Sequence, residues 1–148
     1  QDFHIYVVCG NNEEAKEEVM ELENSMRHST TVKGFVNNVS TIMDAADCIV
    51  TKPGGLTTSE SMAKGLPMVI VNPIPGQEQR NAEFLVNQGV AVIASKACPI
   101  EECLYSLLPS DTRLNAMVQC VKELGKPNAT IDVCRFIIDL MYTPSIVK

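Results

Sequence analysis

Residues 51–81 hold two short polar clusters whose composition and spacing suit a hydroxyl-rich anion. The first runs Thr51-Lys52-Pro53-Gly54-Gly55-Leu56-Thr57-Thr58-Ser59-Glu60, and the second Pro73-Ile74-Pro75-Gly76-Gln77-Glu78-Gln79-Arg80-Asn81. Each reads as a strand end, a glycine turn and a helix start. A helix start presents free N–H groups and about half a positive charge, so it attracts anions. Gly54 and Gly55 allow positive φ and a close backbone approach. Amides and carboxylates beside such a turn (Glu60, Gln77, Glu78 and Asn81) are what sugar hydroxyls require. Together these groups describe a site for a nucleoside diphosphate sugar.

Each feature also has a plainer reading. A strand-to-helix turn favours glycine with or without a phosphate. Thr57-x-x-Glu60 has the spacing of a capping box, in which the glutamate returns to the Thr57 N–H. On spacing alone the capping box is favoured over a ribose-binding carboxylate. Positions 77, 78 and 81 share one side of a helix start and also fit a solvated polar N-terminus. Arg80 reads as a surface charge or salt-bridge partner. The chain has no Asp-x-Asp of the kind that holds a divalent ion in many sugar transferases, so helix dipoles and hydroxyls are expected to stabilise the leaving group without a metal or cofactor. Nor is there a Walker-type Gly-Lys-Ser/Thr motif or a Ser-His-Asp or Cys-His arrangement.

The elements that must position these clusters alternate along the chain. Strands are expected at His4–Cys9, Thr31–Val36, Asp47–Thr51, Met68–Asn72 and Val90–Ala94. Helices are expected at Glu13–His28, Ser40–Ala46 with Ser40 as cap, Thr57–Lys64 closed by Gly65, and Gln77–Gln88 closed by Gly89. Three more follow at about Ile100–Leu108, Thr112–Leu124 and Ile131–Tyr142, with a break at Gly125–Asn128. Apolar strands alternating with helices predict an α/β fold, a doubly wound, Rossmann-like parallel sheet of about five strands in the order 2-1-3-4-5. Its crevice would lie at the carboxyl ends of strands 1 and 3, flanked by Gly10–Asn12 and Pro53–Thr58.

The 148 residues suffice for one domain with its own core, and 45% hydrophobic with 20% charged residues is a globular balance. A net charge of −6 argues against nucleic acid as a partner. No apolar stretch is long enough to span a membrane, and no signal peptide is visible. The six cysteines include no Cys-x-x-Cys pair and lie apart from the two histidines, so reduced thiols in a cytoplasmic setting are expected rather than zinc or disulfides. The chain lacks an initiator methionine and enters a strand within a few residues, which predicts a piece of a longer protein.

The paired Lys-Pro-Gly-Gly and Pro-Gly-Gln-Glu motifs resemble the carboxy-terminal, donor-binding half of monogalactosyldiacylglycerol synthases and bacterial diacylglycerol glucosyltransferases. A more distant resemblance is to the peptidoglycan N-acetylglucosaminyltransferase. The likeness runs from about Ile5 to Val92, and more loosely through the terminal helices. It implies an inverting, two-Rossmann-domain (GT-B) enzyme that moves a hexose from a UDP-sugar to diacylglycerol. By that resemblance Gly54, Gly55, Leu56, Thr57 and Thr58 lie at the diphosphate and Glu60 at the ribose. Phe35 and Val36 offer backbone groups to uracil, and Gln77, Glu78 and Asn81 contact hexose hydroxyls. It also implies that the first strand with its phosphate loop, and the amino-terminal acceptor domain with the catalytic base, lie outside this chain. No catalytic residue is then expected here, and the fragment alone is expected to be inactive. Implied for the intact protein are a cytoplasmic, peripheral position on the inner face of the membrane, a lipid acceptor and room for homodimerisation. A UDP-sugar epimerase on the same scaffold, or a non-catalytic nucleotide-sugar module, would also satisfy the residues. Sugar transfer to lipid by the intact protein would separate the three.

Overall fold

The computed structural model describes residues 2–23 and 25–142. The chain divides into two compact units, residues 1–44 and 45–148.

In the first unit, β1 (Ile5–Val8) and β2 (Thr30–Lys33) form a parallel pair in which Ile5 stands opposite Thr30. Helix α1 (Glu13–Glu23) joins them, and α2 (Val39–Asp44) follows. Asn12 starts α1: its Oδ1 accepts the Ala15 N–H at 3.0 Å and its carbonyl the Lys16 N–H. The helix ends five residues before the expected His28. There the Ser25 hydroxyl donates to the Leu22 carbonyl at 2.7 Å, and Ser25 and Met26 form tight i→i−3 turns. A serine that satisfies its own backbone offers the chain an exit from the helix. Strand β2 likewise stops at Lys33, ahead of the bend at Gly34 and Phe35. Asn38, rather than Ser40, opens α2, its carbonyl receiving the Thr41 and Ile42 N–H groups. The His4 ring bridges two hydroxyls, with Nδ1 at 2.9 Å from Ser29 Oγ and Nε2 at 3.0 Å from Thr31 Oγ1.

In the second unit, β3 (Ile49–Thr51), β4 (Met68–Ile70) and β5 (Ala91–Ile93) form a parallel sheet in that order. Helices α3 (Gly55–Ala63) and α4 (Gln77–Asn87) are the crossovers. Helices α5 (Ile100–Leu107), α6 (Asp111–Leu124) and α7 (Ala129–Tyr142) follow. The central strand β4 is wholly buried, and its two faces meet different clusters. Met68 and Ile70 pack with Ala82, Leu85, Val90 and Val121. Val69, pointing the other way, packs with Cys103, Leu107 and Met117. This two-sided burial is the mark of a doubly wound sheet. Helix α6 serves both clusters, through Val121 and Met117.

The strands are therefore parallel and five in number among the described residues, as anticipated, but they form two ladders, β1-β2 and β3-β4-β5. The adjacency of strands 1 and 3 in the expected order is not among the pairings. Both ladders follow from local βαβ crossovers, whereas a β1–β3 pairing has no such connection to enforce it.

Both crossover helices end as the glycines predicted. Gly65 has φ +72° and Gly89 φ +70°. Around each, two N–H groups return to the last turn: Gly65 to Met62 and Leu66 to Ser61, then Gly89 to Val86 and Val90 to Leu85. This pairing is the Schellman closure, which needs a left-handed residue. Gly125 differs, with an ordinary φ of −61°. All six cysteines are free thiols. Burial pushes the Cys48 thiol up to about 12. Among the described residues no helix is long and apolar enough to cross a membrane.

Candidate functional site

The first polar cluster leaves β3 through a tight turn. Gly54 N–H donates back to the Lys52 carbonyl at 2.9 Å, and the Pro53 ring between them is fully buried. Gly54 is then the N-cap of α3, in extended conformation at φ −70° and ψ 141°. No side chain caps it. The first helical hydrogen bond runs from Thr58 N–H to the Gly54 carbonyl, so the N–H groups of Gly55, Leu56 and Thr57 precede the ladder.

This start corrects the expected helix boundary and removes the capping box. With Gly54 as N-cap, Thr57 is the third helical residue and Glu60 the sixth, too deep to reach back to the cap. The cause is Thr58. Its hydroxyl, 5% exposed, donates toward the Gly54 carbonyl at 2.9 Å and the Gly55 carbonyl at 3.2 Å, pinning the helix start two residues early. Thr58 thus shapes the turn from within, while Leu56 stands 83% exposed at its tip. Glu60 lies exposed on the helix surface.

The glycines also act differently from the reading based on positive φ. Neither Gly54 nor Gly55 is among the residues with positive φ. A Cβ built on either would meet nothing within 4 Å. Neither backbone strain nor packing inside the chain therefore accounts for two successive glycines, which leave open space against an uncapped helix N-terminus.

The second cluster follows Asn72, whose φ of 43° is a left-handed position that asparagine tolerates. Gly76, at φ 105°, is the N-cap of α4 and makes no side-chain cap bond. Glu78 turns one carboxylate oxygen back onto the loop, accepting the Ile74 N–H at 2.8 Å. Asn81, half-buried, donates from Nδ2 to the Pro53 carbonyl at 2.9 Å. That bond spans 28 residues and ties the start of α4 to the turn that starts α3. The two motifs are thus held together by a side chain read from the sequence as a ligand contact. Gln77 and Arg80 are exposed at the head of α4. Sequence reasoning placed Pro53 in the turn beside the crevice but missed its carbonyl as the anchor for Asn81. Phe35 and Val36 lie in the first unit just after β2, Phe35 exposed and Val36 half-buried.

Parallel strands joined by crossover helices with uncapped starts give the second unit a Rossmann-like arrangement. The model of the glycosyltransferase family 28 C-terminal domain matches residues 1–132. The chain belongs to that family. It is 32% identical over 139 residues to the processive diacylglycerol beta-glucosyltransferase of Bacillus licheniformis, covering 94% of this chain and 36% of that protein. Against the enzyme of the same name from Bacillus subtilis it is 35% identical over 126 residues, covering 85% and 33%. The chain spans about a third of the length of these curated relatives. In fold it is similar to Acinetobacter baumannii MurG, with a TM-score of 0.74 at 22% identity over 93% of this chain and 42% of that one. A weaker likeness is to the glycosyltransferase SnogD from Streptomyces nogalater, at a TM-score of 0.55 and 15% identity over 92% and 42%.

Proposed function

We propose that this chain is the donor-binding part of an inverting glycosyltransferase that moves a hexose from a UDP-sugar to diacylglycerol. The observation that carries the reading is the open glycine pair at the uncapped start of α3. A diphosphate is the anion that such a turn, with its three leading N–H groups, accommodates. The names of the curated relatives supply the sugar-to-lipid chemistry.

On this reading Gly54, Gly55, Leu56 and Thr57 face the diphosphate, and Thr58 holds their backbone in place. Glu60 accepts hydrogen bonds from the ribose diol. Gln77 and the free oxygen of Glu78 reach hexose hydroxyls, while Asn81 keeps α4 in position to present them. When the anomeric carbon–oxygen bond breaks, charge grows on the departing UDP. The α3 N–H groups, already aimed and needing no reorganisation, stabilise it. The lipid hydroxyl and the base that deprotonates it come from the remainder of the protein, which sits peripherally at the cytoplasmic face of the membrane. No metal is required, and activity of the full-length enzyme should survive a strong chelator; loss restored by magnesium would count against this.

The test is Glu60. In the full-length enzyme Glu60→Ala should weaken UDP binding by roughly ten- to hundredfold, since hydrogen bonds to a charged group contribute about 1.5–3 kcal/mol. Glu60→Gln, which gives up the carboxylate, should also bind UDP more weakly. Because Glu60 does not cap α3, both variants should melt with the parent. Calorimetric titration beside a thermal melt decides, and an unchanged dissociation constant in both variants removes Glu60 from the site.

A further inference from the structure

Beyond the two polar clusters, two sulfur atoms lie together just past the carboxyl end of β5. Cys98 Sγ and Cys103 Sγ are 3.3 Å apart. Cys98 ends the turn after β5, and Cys103 lies in the first turns of α5. The turn is tightly bonded: Ser95 N–H donates to the Cys98 carbonyl at 2.8 Å, and Cys98 N–H to Ser95 Oγ at 3.1 Å. Cys103 N–H donates to the Pro99 carbonyl at 3.0 Å. Cys103 is buried at 3% exposure, whereas Cys98 is half-buried. Burial and the hydrogen bond with Cys98 push the Cys103 thiol up to about 11, so Cys103 keeps its proton at neutral pH. The two residues therefore differ: Cys98 is the more exposed, and Cys103 is held protonated beside it.

We propose that Cys98 and Cys103 form a reversible thiol–disulfide site that reacts with low-molecular-weight disulfides of the glutathione type. The Cys98 thiolate attacks one sulfur of the small disulfide RSSR. The S–S bond of RSSR breaks, a mixed disulfide Cys98–SR forms, and RS⁻ leaves, taking up the proton Cys98 released. Cys103 Sγ then attacks Cys98 Sγ; the mixed disulfide breaks and a second RSH leaves with the Cys103 proton. Two protein thiols are oxidised by two electrons, and RSSR is reduced to two RSH. A bonded pair needs the sulfurs at about 2.05 Å, so the closure moves them by little more than an ångström. Ordinary cytoplasmic conditions keep such a pair reduced, and a shift in the disulfide pool closes it.

The closure has a structural consequence. A cleft of about 450 Å³ opens where β4 and β5 end. Val71 and Asn72 line one side, and Ser95, Lys96, Ile100 and Glu101 line the other. The bond would staple the turn carrying Ser95 and Lys96 to the helix carrying Ile100 and Glu101, fixing that wall of the cleft.

The experiment uses the purified chain, oxidised glutathione and mass spectrometry after alkylation. Trypsin cleaves after Lys96 and Arg113, so both cysteines fall in one peptide, residues 97–113. After oxidation that peptide should escape alkylation and be lighter by two hydrogens, and dithiothreitol should reverse both changes. Cys103→Ser should trap glutathione on Cys98, whereas Cys98→Ser should leave Cys103 unmodified. Because a spacing of five residues closes in an unfolded chain too, the same reaction is timed in urea. The mixed disulfide should resolve roughly tenfold or more faster in the folded chain, where the sulfurs already touch. A wild-type peptide that is alkylated at both positions, a stable glutathione adduct on it, or equal rates in urea and buffer would each overturn the proposal.

Discussion

Gly125→Ala is expected to lower stability by about 2–3 kcal/mol, the upper part of the range for forcing an extra carbon into a packed site. The melting temperature should fall by roughly 5–10 °C, since a domain of this size loses about 2–4 °C per kcal/mol. The reason is one contact. A Cβ built on Gly125 would lie 2.3 Å from the Met62 carbonyl oxygen and 3.0 Å from that of Val121. Both obstacles are backbone, so no side chain can swing aside. Gly125 ends α6, and Met62 lies in the last turn of α3, so the glycine lets two helix ends meet. Its backbone, at φ −61° and ψ 144°, suits alanine without strain. The unfolded-state effect alone would therefore stabilise alanine by about 0.4–1 kcal/mol. A melt at or above that of the parent would mean that α3 and α6 separate at little cost.

The second large effect concerns affinity and should leave the fold intact. Gly54→Ala and Gly55→Ala meet open space and require no positive φ; Gly55→Ala is expected to melt with the parent or slightly above it, and Gly54→Ala, at the N-cap, within about 1 kcal/mol of it. In the full-length enzyme the same methyl would occupy the volume proposed for the diphosphate. Losing two hydrogen bonds to a charged phosphate costs about 3 kcal/mol or more, so UDP affinity should fall on the order of hundredfold in at least one variant. Measured side by side, Gly125→Ala should damage stability, and the Gly54 and Gly55 variants should damage binding. Unimpaired UDP binding in both Gly54 and Gly55 variants would remove the diphosphate from this turn and sink the proposed function with it.

The alternation of elements was legible because it rests on local physics. Met68-Val69-Ile70 is apolar at every position and lies buried on both faces. Gly65 and Gly89 were read as helix ends, and both adopt the left-handed backbone that only glycine takes without cost. The two polar clusters were likewise visible as strand end, turn and helix start. The amino-acid sequence therefore determined the α/β class, the order of elements and where the candidate site falls.

Contacts that spacing does not specify, local and long-range, decided the rest. Thr57-x-x-Glu60 matched a capping box, yet a buried Thr58 hydroxyl turned toward Gly54 and Gly55 moves the helix start ahead of it. Spacing cannot distinguish these, because it does not say which hydroxyl is buried. Asn81 looked like a ligand group, and its bond to Pro53 across 28 residues arises only when α4 docks beside the turn. The strand order was anticipated as one sheet, but the ladders divide as β1-β2 and β3-β4-β5, since pairing between non-consecutive strands has no local signature. Gly125 read as a simple break, whereas its missing side chain makes room for the Met62 carbonyl of another helix. Local rules encode propensity and periodicity one residue at a time; which polar group finds which partner is decided by the packed chain.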